Sequence, residues 1–384
     1  MVSFTDILAP ITPAQFFERH HGHAPLHVPG EADKFSDIMS RAKLDELIAA
    51  PGLWGAQSLQ MARDSAMVPG TEYLAANGAP DAPKVRALLN RGASLVLNDI
   101  DMAAPGLAAV AGLAQTLEDA LESKVQANLY SSPRERQAFA SHYDTHDVFA
   151  VHVHGEKLWR IYEGRINNPI EHPTFKSQTR AFHEQAKGRI ALEVLMKPGD
   201  LLYLPRGQYH DAVALSERTI HIAFGAVAVI GLDVVSALFA RAVEEPLFRA
   251  DLPRRHGREA GAGEAAFAAR LQALGQRLAE MASDPVNLAA LCQFQDAYRY
   301  RAAAPRYRVT AADFKVVAQG GGWALARAGK STPIPPGFNS AVAWIIRQQV
   351  FADAALAAAF PQIADAARGE LLRSLLAMKV IAPV

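Results

Sequence analysis

From about Val125 to Val229, apolar and polar positions alternate with a period of two. Val148, Ala150 and His152 fall on one side of such a run; Phe149, Val151 and Val153 fall on the other. That is the mark of a strand with two different faces. Gly155 interrupts the alternation and Lys157 to Tyr162 resumes it, which predicts a hairpin. Leu201 to Leu204 and Thr219 to Ala228 read as further strands. Many short strands separated by turn residues predict a sandwich or small barrel.

Helical spacing frames this block on both sides. Thr12-Pro13-Ala14-Gln15 has the form of a helix start, with a capping Thr, Pro in the first helical position and Gln three residues after the cap. Lys43 to Ala50 predicts a second helix, stopped by Pro51-Gly52, and Ala108 to Glu122 a third. Between them only Ser94 to Leu97 reads as a strand, so the first hundred residues are expected to be mostly short helices and loops. After Gly231 the chain is helical to about Tyr300, including an Ala-rich amphipathic stretch, Glu264 to Met281, with no evident partner among its sequence neighbours. Beyond Ala304 the pattern is a small α/β tail: a strand near Tyr307, a Gly-rich hairpin at Gly320 to Gly322, and helices near Ser340 and Gly369.

The apolar stretch Ile222 to Ala240 has Asp233 as its only charge, but its period changes halfway. It is expected to be a strand ending near Val229, a turn at Gly231 and a helix from about Asp233. A membrane span calls for ~20 unbroken apolar residues, so no membrane association is expected.

The 384 residues suit two to three domains, and 50% apolar with 20% charged residues is a globular balance. The formal net charge of zero leaves no global field toward nucleic acid or membrane. Cys292 is the single cysteine, which excludes an intramolecular disulfide, and the first residues lack a basic segment followed by an apolar one. A cytoplasmic location is therefore expected. From Arg301 to Val384 ten Lys or Arg stand against four Asp or Glu, a net of +6. This is either a solvated surface or a contact for RNA or an acidic partner; no regular interleaving of aromatics supports base stacking.

The candidate chemistry lies in SHYDTHDVFAVHVHGEKLWRIYEG, Ser141 to Gly164. His142 and Asp144 are two apart on a predicted strand, so both side chains leave the same face. In KPGDLLYLPRGQYH, Lys197 to His210, glycines and a proline form a turn that returns His210 to the mouth of the barrel. Two His and one carboxylate on one face of an octahedron leave three positions free, the arrangement of non-haem Fe(II) oxygenases. Two free positions suit a chelating 2-oxo acid and the third O2. Lys157 is expected to point back into the barrel, where a buried lysine needs a counter-ion; the distal carboxylate of 2-oxoglutarate is one.

The segment NLYSSPRERQAFASHYDTHDVFAVHVHGEKLWRIYEG resembles the JmjC-type oxygenases, specifically the cupin-fold ribosomal-oxygenase subgroup that hydroxylates ribosomal proteins. The likeness runs through Asn128 and Tyr130, His142-Tyr143-Asp144, Gly155 to Arg160, and Pro198-Gly199-Asp200 through His210. It implies a mainly β core, a double-stranded β-helix or cupin jelly roll, with helical additions. It also implies a division into an N-terminal part (1–105), the catalytic core (106–230), a helical dimerisation region (231–303) and a winged-helix-like domain (304–384), with a homodimer as the assembly. By position the iron ligands are His142, Asp144 and His210, the 2-oxoglutarate lysine is Lys157, and Asn128 and Tyr130 border the same pocket. One departure stands out: where the family often has a polar side chain near the cosubstrate, this chain has Gly225. His221 on the same strand either compensates for it or is simply buried behind the ligands.

Other readings compete. His152 and His154 form a second period-two pair, and His20, His21 and His23 cluster near the start. Trp159 reads as core, and His146 and Asp147 as supports behind the ligands or exposed residues. As functions, a protein or peptide hydroxylase, its substrate a ribosomal protein or a peptide natural-product precursor, stands against a cupin metal enzyme without 2-oxoglutarate, which Lys157 argues against. It also stands against a non-catalytic binding module using the basic tail, which an intact triad argues against.

Overall fold

The computed structural model of the chain describes residues 2–50, 52–63, 66–103, 107–134, 139–256, 262–301 and 306–383. Pro51, and the boundaries expected after residues 105 and 303, lie outside them. The chain divides into two units, Val2–Arg301 and Ala302–Val384.

Among the described residues eleven strands build the first unit: β1 (Leu26–Val28), β2 (Leu59–Arg63), β3 (Ala66–Met67), β4 (Ser94–Leu97), β5 (Ser123–Ser132), β6 (Asp147–His154), β7 (Lys157–Arg165), β8 (Ile190–Met196), β9 (Leu201–Leu204), β10 (Gln208–Ala214) and β11 (Thr219–Ala228). They form two antiparallel sheets, one of eight strands in the order β1-β9-β6-β11-β5-β4-β2-β3 and one of three in the order β10-β7-β8. This is the jelly-roll layout expected of a cupin core.

The two faces of β6 explain the layering. Phe149 and Val151 join Leu129, Ile220, Ile222, Phe224 and Tyr203 in the larger core, packed against the N-terminal helices and the helix Ala108–Leu121. Val148 and Ala150 look the other way, into a smaller core between the sheets with Trp159, Ile161, Val194, Met196 and Leu202. The inward positions of β5, β6, β7, β10 and β11 are where polar side chains interrupt this apolar lining.

Three expectations are corrected. Strands β6 and β7 are not a paired hairpin: β6 lies between β9 and β11, while β7 pairs with β10 and β8. Gly155, at φ +72, turns the chain from one sheet to the other, so the expected glycine turn is a corner rather than a hairpin tip. Next, the first hundred residues contribute β1 to β3 as well as β4, and β1 pairs with β9 on the far edge. These strands are too short to carry a readable period. Finally, the long helix Ala262–Ser283 does have neighbours: Met281 is buried with Leu238 and Ala242, and Arg277 grips Glu245 through two hydrogen bonds of 2.7 and 2.8 Å. The stretch Ile222 to Ala240 is a strand followed by the helix Gly231–Ala242, and among the described residues no helix is long and apolar enough to cross a membrane.

Within the same unit, the segment after the helices is tied back to the barrel. The buried Glu118 carboxylate accepts from the backbone N–H of Val125, Tyr300 and Arg301 and pairs with the Arg301 guanidinium. The second unit holds two three-stranded antiparallel sheets, Val350–Ala352, Arg306–Val309 and Ile381–Pro383 in one, and Lys315–Gln319, Gly322–Arg327 and Lys330–Ile334 in the other. The hairpin at Gly320 to Gly322 and helices Asn339–Ile345 and Asp365–Ala377 fall where the sequence places them.

Candidate functional site

His142 does not lie within a regular strand. It makes a single β-bridge to His210, each residue donating its N–H to the other's carbonyl at 2.8 and 3.0 Å, and β6 begins only at Asp147. Asp144 is fixed by a different bond: the Gly207 N–H donates to its carbonyl at 2.8 Å. Gly207 has φ +83, and a Cβ there would stand 1.9 Å from the Ile166 carbonyl, so only glycine fits. The turn anticipated from its glycines and proline thus holds both ligand segments together by main-chain bonds.

The three side chains converge. One ligating atom each from His142, Asp144 and His210 lie within 4.8 Å of one another. The two imidazole Nε2 atoms are 4.0 and 3.7 Å from the Asp144 carboxylate, beyond hydrogen-bond reach. In the neutral rings both Nδ1–H groups are already used, His142 toward the Ala140 carbonyl at 2.8 Å and His210 toward the Gln208 carbonyl at 3.0 Å. This assignment turns both Nε2 lone pairs toward the carboxylate, the orientation a metal ion needs from histidine. Burial holds His210 down at about 4, with His142 adding to it, so this ring is neutral at pH 7. Burial alone would raise the Asp144 carboxyl, but His142, His146 and His210 outweigh it and keep it below the usual carboxylate range. Three donors that face one another without bonding one another fit a divalent cation.

The triad opens into a cavity of about 290 Å³ that also takes Asn128, Tyr130, Lys157, Trp159 and His221 into its lining. The register explains the gathering: His221 stands opposite both Tyr130 on β5 and His152 on β6, and Ala223 opposite Asn128. Tyr130 stacks on His221 at 4.9 Å, and Trp159 on His210 at 5.7 Å. Trp159 is therefore both core and wall. Ala212 and Ala223 leave space that larger residues would fill, while Phe139, 37% exposed, flanks Tyr130 and His142 at the mouth. Nothing in the sequence pattern singled out Phe139.

Lys157 is 5% exposed, and among the described residues its ammonium has no hydrogen bond or ion pair; the Trp159 ring lies 5.9 Å away. Desolvation pushes its pKa down to about 7. Around it His221 and His152 are kept neutral, chiefly by burial and next by Lys157 itself. The Nδ1 atoms of both, and the Trp159 Nε1, are buried without a partner. A pocket holding a buried lysine with no counter-ion of its own suits an anion.

The alternative histidines do not assemble. His152 sits at the far end of β6, bonded to the Gly155 carbonyl, and His154 is not beside the triad's donors. His20 contacts the Pro25 carbonyl and His21 lies 3.6 Å from Asp147. Asp147 is a support, accepting from Tyr203 Oη and the Arg206 N–H at 2.8 Å. Gly225 has its own explanation: a Cβ there would meet three atoms of the His146 ring at 2.9 to 3.2 Å. The imidazole of His146 occupies the place that a side chain at position 225 would take.

Comparison with known proteins agrees with this picture. A JmjC domain model matches residues 110–232. Among curated proteins, the bifunctional lysine-specific demethylase and histidyl-hydroxylase NO66 of Drosophila persimilis is 30% identical over 227 residues, 58% of this chain and 31% of that protein. Ribosomal oxygenase 1 of Rattus norvegicus is 30% identical over 211 residues, 54% of this chain and 34% of that protein. The chain thus spans about a third of the length of these relatives. Among solved structures, that of YcfD, a ribosomal oxygenase from Escherichia coli in complex with cobalt and 2-oxoglutarate, superposes with a TM-score of 0.50 over 97% of this chain and 98% of that one. At 13% identity the likeness is one of fold.

Proposed function

We propose that this chain, whose residues 110–232 match a JmjC domain and which is similar to ribosomal oxygenases, is an Fe(II)- and 2-oxoglutarate-dependent oxygenase hydroxylating a protein or peptide side chain. The observation that carries the proposal is the pairing of an open His142–Asp144–His210 triad with a buried, unpaired Lys157 in one cavity. Iron, when bound with 2-oxoglutarate and O2, supplies the oxidation that turns substrate C–H into C–OH while 2-oxoglutarate becomes succinate and CO2.

The chain's own residues do the rest. His142, Asp144 and His210 would hold the ion. Lys157 would pair with the distal carboxylate of 2-oxoglutarate, which offsets the cost of burying its ammonium. Asn128, whose Oδ1 accepts from the Asp99 N–H at 3.0 Å, lines the pocket with its amide toward the Tyr130 hydroxyl. Burial and the Asp144 charge raise the Tyr130 phenol, so it stays a neutral donor. His221 would serve the cosubstrate as a neutral wall with one free ring nitrogen. Trp159, Phe139 and the two alanines keep the space small and dry, so that one C–H bond is held in place.

Lys157 weighs against a cupin enzyme without 2-oxoglutarate, and the intact triad against a purely binding role. Substrates in this reading range from a ribosomal protein to a peptide natural-product precursor. Leu232, Val235, Phe239 and Val243, at helical spacing and 52 to 70% exposed, support a homodimer through the helix Gly231–Ala242. The helices and Gly-rich hairpin of the second unit support a winged-helix-like reading. The net charge of +6 from Arg301 to Val384 supports contact with RNA or an acidic partner, and the lone Cys292 supports the cytoplasm. The test is anaerobic protein with Fe(II) and 2-oxoglutarate, then air: succinate should form, and His142→Ala or Asp144→Ala should abolish it. Succinate formation that survives either substitution would sink the proposal.

A further inference from the structure

Beside the reaction cavity lies a second, larger one of about 620 Å³, and among the described residues His146 alone lines both. The imidazole of His146, seated on Gly225, is therefore the partition between them. The floor of the outer cavity is the end of β11, Ala226 to Ala228, where Val227 is 40% exposed. One wall is the segment following β7, with Ile170 and Glu171; the other is the start of the helix Gly231–Ala242, with Leu232 56% exposed, and Tyr298. The lining thus mixes apolar side chains with polar ones over an open trough, as polypeptide grooves do.

The polar groups of the trough are largely committed. Arg165 donates to the carbonyls of Gly22, His23 and Arg206. Asp147 accepts from Tyr203 and the Arg206 N–H, Glu171 pairs with Lys176 at 2.9 Å, and Asp233 accepts from the Ile230 N–H at 2.8 Å. Among its charged groups Arg206 is the exception. It is half-buried, and among the described residues its guanidinium has neither hydrogen bond nor ion pair. A guanidinium held in a trough with its five donors unused matches a carboxylate.

We propose that the outer cavity seats an extended polypeptide segment bearing an acidic side chain, with its carboxylate on Arg206, and that the residue to be modified reaches the inner cavity past His146. The assignment rests on the oxygenase reading for what happens in the inner cavity, but the docking itself is independent of it. The side chain at 146 then sets which residues gain access, and sequence near the modified residue sets affinity.

The test uses full-length protein loaded with Mn(II) and 2-oxoglutarate, and fluorescein-labelled synthetic decapeptides pooled as acidic, neutral or basic. Anisotropy should show the acidic pool binding at least tenfold tighter than the neutral pool. Arg206→Gln should erase that preference, and Val227→Trp, which fills the trough, should weaken every pool; thermal melting of each variant checks the fold. With iron in place of manganese and air admitted, His146→Trp should leave peptide binding intact but abolish the mass gain of one oxygen. No binding by any pool, equal binding by all three, or a preference that survives Arg206→Gln would overturn the groove. Displacement of the peptide by N-acetyl-aspartate amide at similar concentration would reduce the site to an anion pocket and overturn the polypeptide assignment. Oxygen gain unaffected by His146→Trp would overturn the passage. Absence of succinate on aeration would count instead against the oxygenase reading, because the binding measurements need no turnover.

Discussion

Replacing Lys157 by methionine keeps the length of the side chain and removes its charge. Its pKa is pushed from 10.5 down to about 7 by burial. Between these values the unfolded chain binds a proton that the folded chain does not, so stability should rise with pH across the window from 7 to 10.5. The penalty is fully present below pH 7, where it reaches about 5 kcal/mol at roughly 1.4 kcal/mol per pH unit. Lys157→Met should therefore make the unliganded protein more stable at neutral and lower pH, by about 1–4 kcal/mol, as when buried charges give way to apolar groups. It should also flatten the pH dependence above 7. The same change should weaken 2-oxoglutarate binding, because the ammonium that would meet the distal carboxylate is gone. A loss of about 3–4 kcal/mol, at the lower end of what breaking a buried pair costs, is a Kd roughly 10²–10³-fold higher. In the native protein affinity should fall as pH rises above 7, since binding then has to bring a proton to Lys157; in the variant it should not. Chemical denaturation at pH 6, 7 and 9, and titration calorimetry with 2-oxoglutarate, measure the two effects. A variant that is less stable at pH 6 and binds 2-oxoglutarate as before would refute the reasoning, and Lys157 would be a packing residue.

Three further outcomes are expected. Gly225→Ala should lower stability by about 1–3 kcal/mol through overpacking against His146, and the double variant with His146→Ala should recover most of it; equal losses in the single and double variants would deny the contact. Tyr162→Phe removes a 2.5 Å hydrogen bond to the buried Asp211 carboxylate, which Ser141 also contacts at 2.7 Å beside the ligand His142, and should cost about 1–3 kcal/mol in a denaturant titration. Phe239→Asp, on a residue 70% exposed, should leave the melting temperature of the chain nearly unchanged while converting a dimer to a monomer in sedimentation; a monomeric native protein would remove the dimer from the proposal.

The legible part of this protein was what neighbouring residues decide between themselves. Alternation along Val148 to Val153 gave the two faces of β6, because a strand's side chains point alternately whatever the strand pairs with. The glycines and proline from Gly199 to Gly207 marked a turn for the same local reason, and two His with an Asp carry metal-binding chemistry wherever they meet. What the tertiary structure decided was which elements meet. A corner at Gly155 gives the same residue pattern as a hairpin tip, so only the packed sheets showed that β7 joins β10 rather than β6. The short strand β1 depends on an edge, β9, supplied by residues far along the chain, and β2 on β4. Gly225 stood as a gap in the sequence. It is filled by a ring attached 79 positions earlier, at His146, and such steric exchange between strands is set by register, which a single sequence does not print.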